Sequence, residues 1–411
     1  MLPNRLQTDP YLTCVRPGDR PSVIYMTDTK GPTWPVITDS GTAAFGVIGL
    51  DRRVDWHHDR AALAALEKAA TAPIDTSVLV AEFGQATVGQ LVAKGWLQAP
   101  DDLCREYRLL TGQVEISAHC NWGCRSCPVS TDPKPRATMP MDLFTEIIGK
   151  LAPYETVKFV TFHFFNEPTL DRHFTDRVEV LREHGMKLSL FSNVSALTPA
   201  KIKAIGDADV LYDLIVNLPS LDPAEFRTLT GARTFHTSLA NLDAAIDAGW
   251  PVKIAVNGVG DDVYRNVEAI KKRYEHRGVT VYATQASDRA GELANEFAQN
   301  LHITGPLTGC SWPVNHAYFS VTGDLFICCN DYHQREVFGN IRDSSLHDIM
   351  TSPAAVQVRR RVFGVQEAPD DYICRGCHDQ KPDFPHRQFR PLHAFPLLNT
   401  NTASRACPKA G

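Results

Sequence analysis

Between residue 111 and about residue 290, short apolar runs and amphipathic runs alternate six times. QVEIS, VKFVTFHFF, KLSLFS, LYDLIVNL, PVKIAVN and VTVYA read as strands. MDLFTEIIGKL, FTDRVEVLREHG, TPAKIKAI, DPAEFRTL, LANLDAAIDAG and DDVYRNVEAIKKRY read as the helices between them. In the first helix, Phe144, Ile147, Ile148 and Leu151 recur at helical spacing. Gly185 marks the stop of the second, and Thr198 followed by Pro199 marks the start of the third. Strands alternating with helices at this spacing predict parallel βα units, which close into a full or partial barrel or form an open doubly wound sheet. In either architecture the ligand site belongs at the C-terminal ends of the strands. Cys120, Asn166, Glu167, Asn193 and Asn217 all fall at or just beyond those ends.

A chain of 411 residues exceeds what one hydrophobic core usually supports, so flanking domains are expected. Residues 1–110 read as a separate N-terminal unit. AAFGVIGLDRRVDW looks like strand material, DRAALAALEKAA like an amphipathic helix, and TVGQLVAKGWL like a short helix closed at Gly95. Together they predict a small winged-helix-like module. Residues 111–299 form the alternating core, residues 300–395 are less regular, and residues 396–411 read as a tail. With 42 basic against 47 acidic residues the net charge is −5, and there is no basic block to suggest a nucleic-acid partner. No apolar run approaches the roughly 20 residues that span a bilayer, so no membrane partner is expected. MLPNRLQTDPYL lacks the features of a signal peptide, and a cytoplasmic location is expected.

Eleven cysteines in such a chain call for explanation, because cytoplasmic thiols stay reduced and clustered ones more often bind metal. Three lie at 120–127 and five at 310–377, while Cys14, Cys104 and Cys407 stand alone. The two groups predict two metal sites in two domains. Cys120, Cys124 and Cys127 form C-x3-C-x2-C on a loop directly after a predicted strand. Thiolates are soft ligands for zinc or iron–sulfur centres. A structural zinc site needs a fourth ligand, yet His119 is too close in sequence to share one ion with Cys120, and the next His or Cys is His163. Three thiolates on a four-iron cluster would instead leave one iron open to a small molecule. The plainer readings are a zinc site completed from afar, or buried thiols. Cys310, Cys328, Cys374 and Cys377 form two separated pairs, which satisfy either zinc or a [4Fe-4S] cluster.

C-x3-C-x2-C after the first strand of a βα series resembles the signature of the radical S-adenosylmethionine (SAM) superfamily, and the resemblance extends over residues 111 to about 290. It implies a partial (β/α)6 TIM-like barrel and a [4Fe-4S] cluster bound by three Cys and by SAM. Members usually carry a Gly-Gly-Glu-Pro-like turn after the second strand. Here that turn is FFNEP, without the glycines but with Asn166, Glu167 and Pro168 in place. By the same resemblance Glu167 would hold the methionine amine. Ser192 and Asn193 stand for a Thr-Asn-Gly element, Asn217 would meet the ribose, and Arg289 in SDRAGEL would pair with the methionine carboxylate. From Cys310, the run C-x12-G-x4-C through Gly323 to Cys328 resembles the opening of the SPASM (twitch-like) extension of such enzymes. A further cysteine run after Cys377 is missing, which implies one auxiliary [4Fe-4S] cluster on Cys310, Cys328, Cys374 and Cys377, with Cys329 as a spare thiol.

The chemistry the resemblance implies is reductive cleavage of SAM to a 5′-deoxyadenosyl radical, which abstracts a hydrogen from substrate. An electron donor such as flavodoxin or ferredoxin is expected. Peptide-modifying relatives often begin with a winged-helix domain that captures a leader peptide by strand addition. The N-terminal unit therefore favours a ribosomally made peptide as substrate. A dehydrogenase or epimerase acting on a sugar or aminocyclitol is the alternative, with crosslinking, epimerisation and dehydrogenation all open as outcomes. A non-enzymatic iron–sulfur or zinc scaffold is the reading from a different class.

Overall fold

The structure, a computed structural model, describes residues 2–15, 45–50, 54–258, 260–286, 288–293 and 301–377. The expected tail at 396–411, and Cys407 within it, lie outside the described residues.

The N-terminal part contains strands β1 (Arg5–Thr8), β2 (Thr13–Val15), β3 (Phe45–Ile48) and β4 (Val54–His57), then helix α1 (Arg60–Lys68), the short strand β5 (Ile74–Asp75), helices α2 (Thr76–Phe83) and α3 (Gln85–Ala93), and strand β6 (Leu97–Gln98). β2, β3 and β4 form one antiparallel sheet in that order, and β1 pairs with β5 and β6 in another. Helix α1 begins where Asp59 accepts a hydrogen bond from the Ala61 N–H, and it buries Ala62, Leu63, Ala65 and Leu66 on one face. These residues pack with Leu6, Leu79, Leu91 and Trp96 in a core separate from that of the rest of the chain. Three helices and a small antiparallel sheet around one core are the components that a winged-helix-like unit requires. Beyond β6 the chain enters the main core at Leu103 and Cys104, where buried Arg359 donates to the carbonyls of Cys104 (2.8 Å), Arg105 (3.3 Å) and Met350 (2.7 Å).

The central part alternates as expected. Its strands are β7 (Thr111–Val114), β8 (Phe159–Thr161), β9 (Leu188–Ser192), β10 (Leu211–Asn217), β11 (Val252–Gly258) and β12 (Thr280–Gln285). The helices are α4 (Pro128–Thr131), α5 (Met141–Leu151), α6 (Phe174–Glu183), α7 (Pro199–Ala208), α8 (Pro223–Thr230), α9 (Phe235–Asp247) and α10 (Gly260–Tyr274). The six strands are parallel and stand in chain order, each next to its predecessor. Alternation along β10 sends Leu214 and Val216 into the core and leaves Asp213, Ile215 and Asn217 on the opposite, inner face. On β7 the Gly112 backbone approaches Leu151 of α5, which puts Gln113 on that same inner face.

Two strand expectations are shortened by local chemistry. VKFVTFHFF is ordered as a strand only over Phe159–Thr161, because the Asn166 side chain accepts from the Phe164 N–H (2.7 Å) and Phe165 turns left-handed (φ 56°). QVEIS is ordered as a strand only to Val114; the Glu115 N–H still bonds to Phe319 O (2.9 Å), but the Ile116 N–H turns back onto Val114 O (2.9 Å). The region beyond 300, read as less regular, is instead well ordered to residue 377. It holds α11 (Trp312–Asn315), β13 (His316–Phe319), β14 (Asp324–Phe326), β15 (Val337–Asn340), α12 (Leu346–Met350) and α13 (Pro353–Val362). β13 pairs parallel to β7, so the described sheet has nine strands in the order β12 to β7, then β13, β14 and β15. The sheet is open, with β12 and β15 at its ends, which is a partial rather than a closed barrel.

Candidate functional site: two thiol clusters on one sheet

The loop between β7 and α5 carries Cys120, Cys124 and Cys127. It is pinned from outside by the end of α8. The Gly123 N–H donates to Thr230 O (2.8 Å), and the Arg125 N–H donates to Leu229 O (3.2 Å). Buried Trp122 lies edge-on to Phe226 (5.0 Å) and donates from Nε1 to Thr234 Oγ1 (3.0 Å). The Cys120 sulfur accepts from the Trp122 N–H (3.4 Å) and lies 3.8 Å from Asn193 Nδ2. Burial pushes the Cys120 thiol up to about 12, with the charges of Glu167 and Cys127 adding to it. Cys124 is raised by burial and then by the neighbouring Cys127 and Cys120 thiols, and Cys127 is raised by burial. Three crowded, half-buried thiols ionise together only against a strong local positive charge, which is what a metal centre supplies.

The second group gathers from three segments. Burial and then the charges of Cys329, Cys377 and Cys310 raise the Cys328 thiol, and Cys374 is raised by burial, Cys328 and Cys377. The Asn330 amide lies 3.5 Å from the Cys377 sulfur. Cys310, Cys328, Cys374 and Cys377 are thus brought together, with Cys329 beside Cys328 in the same group. Cys328 and Cys329 pack against an aromatic cluster of Phe164, Tyr318 and Phe326. Among the described residues no three His, Cys, Asp or Glu side chains converge as one metal ion requires. The fit therefore rests on the donor sets, three thiolates in one group and four in the other, which suit iron–sulfur clusters.

Beyond the first thiol group, Glu167 is almost fully buried (1% exposed) and ties two strand ends together. Its Oε1 accepts from the Thr169 N–H (2.9 Å), the Thr169 hydroxyl and the Ser192 hydroxyl (2.7 Å), whereas among the described residues Oε2 accepts only from the Asn193 N–H (2.6 Å). Burial raises its pKa against these hydrogen bonds. Oε2 keeps acceptor capacity, whereas Oε1 is saturated. Asn166 is committed to the protein, since it also donates to Ser117 Oγ (3.1 Å) and Phe162 O (3.1 Å). Asn193 donates to Asn121 Oδ1 (3.0 Å) and accepts from Ser195, so it braces the cysteine loop. Asn217, at the end of β10, accepts from Asn257 Nδ2 on β11 (2.7 Å). Arg289 has its guanidinium 5.2 Å from the Phe165 ring centroid, and its charge acts on both Cys127 and His163.

The inner face below these strand ends carries residues not singled out by the sequence. Lys253 and Asp213 form an ion pair (2.8 Å) with side chains 13% and 4% exposed, and the Ser189 hydroxyl donates to the same Asp213 (2.5 Å). His163 packs on Phe191 (4.9 Å between centroids), and burial pushes its pKa down to about 4, aided by Arg289. From the C-terminal part, Trp312 stacks on His316 (4.9 Å), which bonds to Thr111. Ion pairs and amide pairs between neighbouring strands leave no trace in a single sequence, since their members lie 40 residues apart.

Comparison with known proteins agrees with this geometry. A family model described as the radical SAM superfamily matches residues 114–274, and one described as an iron–sulfur cluster-binding domain (SPASM) matches residues 310–378. The S-adenosyl-L-methionine-dependent 2-deoxy-scyllo-inosamine dehydrogenase of Niallia circulans is 22% identical over 65% of this chain and 92% of its own length. A GTP 3′,8-cyclase of Yersinia pestis is 27% identical over 51% of this chain and 63% of its own length. Among solved structures, Streptococcus suis SuiB bound to precursor peptide SuiA superposes with a TM-score of 0.53 at 11% identity, over 77% of this chain and 87% of that one. The radical SAM domain takes a [4Fe-4S] cluster and SAM, and the SPASM domain takes auxiliary iron–sulfur. The chain belongs to the radical SAM superfamily, with a C-terminal SPASM domain, and is a radical SAM enzyme.

Proposed function

We propose that the enzyme modifies a ribosomally made peptide, which residues 1–110 capture while residues 111–299 carry out the radical chemistry and residues 300–395 hold one auxiliary cluster. When bound, the first cluster and SAM supply a 5′-deoxyadenosyl radical that takes a hydrogen from substrate. Cys120, Cys124 and Cys127 hold that cluster. Glu167 offers Oε2 to the methionine amine from the turn that Ser192 and Asn193 fix, and Arg289 faces the methionine carboxylate. Asn217, oriented by Asn257, meets the ribose. Cys310, Cys328, Cys374 and Cys377 hold the auxiliary cluster.

The observation that carries the peptide reading is the N-terminal unit, which has its own core and a sheet that ends, among the described residues, at β4. An end strand is the element to which an extended peptide adds. The likeness to SuiB, solved with its precursor peptide, spans 77% of this chain and supports the same reading. A second reading, dehydrogenation of an aminocyclitol, is favoured by the dehydrogenase relative and by the polar inner face, where Asp213, Lys253, Asn217 and Asn257 suit hydroxyl and amine groups. The deciding experiment supplies the reduced, SAM-loaded enzyme either with the peptide encoded beside its gene or with 2-deoxy-scyllo-inosamine. A mass change in the peptide, lost when a competing leader segment is added, supports the first reading. Turnover of the aminocyclitol alone replaces it with the second.

A further inference from the structure

Arg289, Ala290 and Gly291 form three successive left-handed residues (φ 52°, 58° and 86°). Two side-chain-bearing residues in a row hold that conformation only where their surroundings over-determine it. The turn closes on itself through the Glu292 N–H to Arg289 O (3.2 Å) and the Leu293 N–H to Asp288 O (2.9 Å). Its outer face is seated on a different domain. A Cβ built on Gly376 would lie 2.6 Å from the Ala290 carbonyl oxygen and 3.1 Å from its carbon. Gly376 stands between Cys374 and Cys377, so the backbone of the auxiliary-cluster loop touches the backbone beside Arg289.

That loop is itself rigidly held. Buried Arg375 donates to the carbonyls of Pro369 (2.8 Å), Ile303 (2.7 Å), Gly305 (3.0 Å) and Ala368 (2.5 Å), and its own carbonyl accepts from the Ile303 N–H (2.9 Å). A guanidinium with four carbonyl partners leaves its backbone little freedom. On the other side of the turn, the Arg289 guanidinium lies over Phe165, itself left-handed at φ 56° and edge-on to Tyr332 at 5.2 Å. The Cys374–Cys377 loop therefore abuts the backbone of the turn that carries Arg289.

We infer that the Cys374–Cys377 loop positions Arg289 for SAM, with Gly376 as a positioning residue, so that SAM affinity depends on a site between two auxiliary-cluster ligands. This rests on the reading of Arg289 as the partner of the methionine carboxylate. By reciprocity, SAM binding must in turn stabilise the loop. The inference is tested on the full chain with both clusters assembled. In Gly376→Ala, the dissociation constant for SAM, measured by equilibrium dialysis, is expected to rise about tenfold, within the usual range of coupling between sites. The iron content and the spectrum of the first cluster stay as in the wild type. Wild-type affinity in a Gly376→Ala protein that carries both clusters would overturn the inference. A wild-type measurement covers the case in which the variant does not assemble. Addition of SAM should slow amide exchange in residues 373–377 as well as in 288–293. Slowing confined to 288–293 overturns the coupling but leaves the site reading intact. Unchanged SAM affinity in Arg289→Ala overturns both.

Discussion

Replacing Glu167 with Gln exchanges one buried acceptor for a donor without changing size, and the structure says what that costs. If the carboxamide oxygen takes the place of Oε1, the bonds from Thr169 and Ser192 survive, but the amide nitrogen then faces the Asn193 N–H across the 2.6 Å now spanned by Oε2. The opposite placement turns the amide toward three donors and is worse. The favourable placement loses one bond to a charged acceptor, about 1.5–3 kcal/mol, and strands a buried N–H. Relief from burying a carboxylate, which raises the Glu167 pKa, offsets part of this. A net cost of about 1–3 kcal/mol follows, falling on the tie between the turns after β8 and β9. Because a chain with separate cores does not unfold in one step, the assay is local hydrogen exchange. Amides of Thr169, Asn193 and Val194 should exchange about 5–150 times faster in Glu167→Gln, and SAM binding should weaken with them. Exchange within twofold of the wild type would refute the claim that this carboxylate joins the two turns.

Further outcomes follow from the inner face and the cysteine loop. Lys253→Met leaves Asp213 buried with only the Ser189 hydroxyl, among the described residues, donating to it, at a cost of about 3–5 kcal/mol, whereas Lys253→Met with Asp213→Leu should recover most of that; denaturation midpoints that rank the double variant below the single one would contradict this. His163 is held neutral with its pKa lowered to about 4, so between pH 6.5 and 4 the unfolded chain binds the extra proton and stability falls as pH drops. His163→Gln should therefore lose less stability than the wild type between pH 7 and pH 5 in urea titrations, and an equal loss would count against a neutral buried ring. Asn193→Ala removes the amide beside the Cys120 sulfur and should make the first cluster harder to reduce, shifting its potential downward in an EPR titration; an upward shift would contradict that role.

What could be read from the sequence was what local spacing determines. The thiol spacing at 120–127 is fixed by one loop, and the start of α7 is fixed by Thr198 and Pro199, where the Thr198 hydroxyl accepts from the Lys201 N–H as capping chemistry predicts. The six parallel strands were legible because each carries its own apolar run and is followed by an amphipathic helix. The extension of the sheet by β13, β14 and β15 was not, because His316–Phe319 and Asp324–Phe326 are too short to show a period against their Gly, Asp and Thr neighbours. Glu167 was found by position, yet its engagement with Thr169, Ser192 and Asn193 depends on how two strand ends meet. The contact of Gly376 with Ala290 joins residues far apart in sequence, and only the fold brings them together.

We propose that the three thiols at 120–127 carry the cluster that cleaves SAM. The most direct test reconstitutes the full chain anaerobically, counts iron, reduces it and adds SAM. About eight irons per chain are expected, with 5′-deoxyadenosine and methionine formed by the wild type and no 5′-deoxyadenosine from Cys124→Ala, which should keep about four irons. Cys374→Ala should keep at least part of the cleavage. A fully loaded wild type that forms no 5′-deoxyadenosine, or a Cys124→Ala variant that still does, would contradict it.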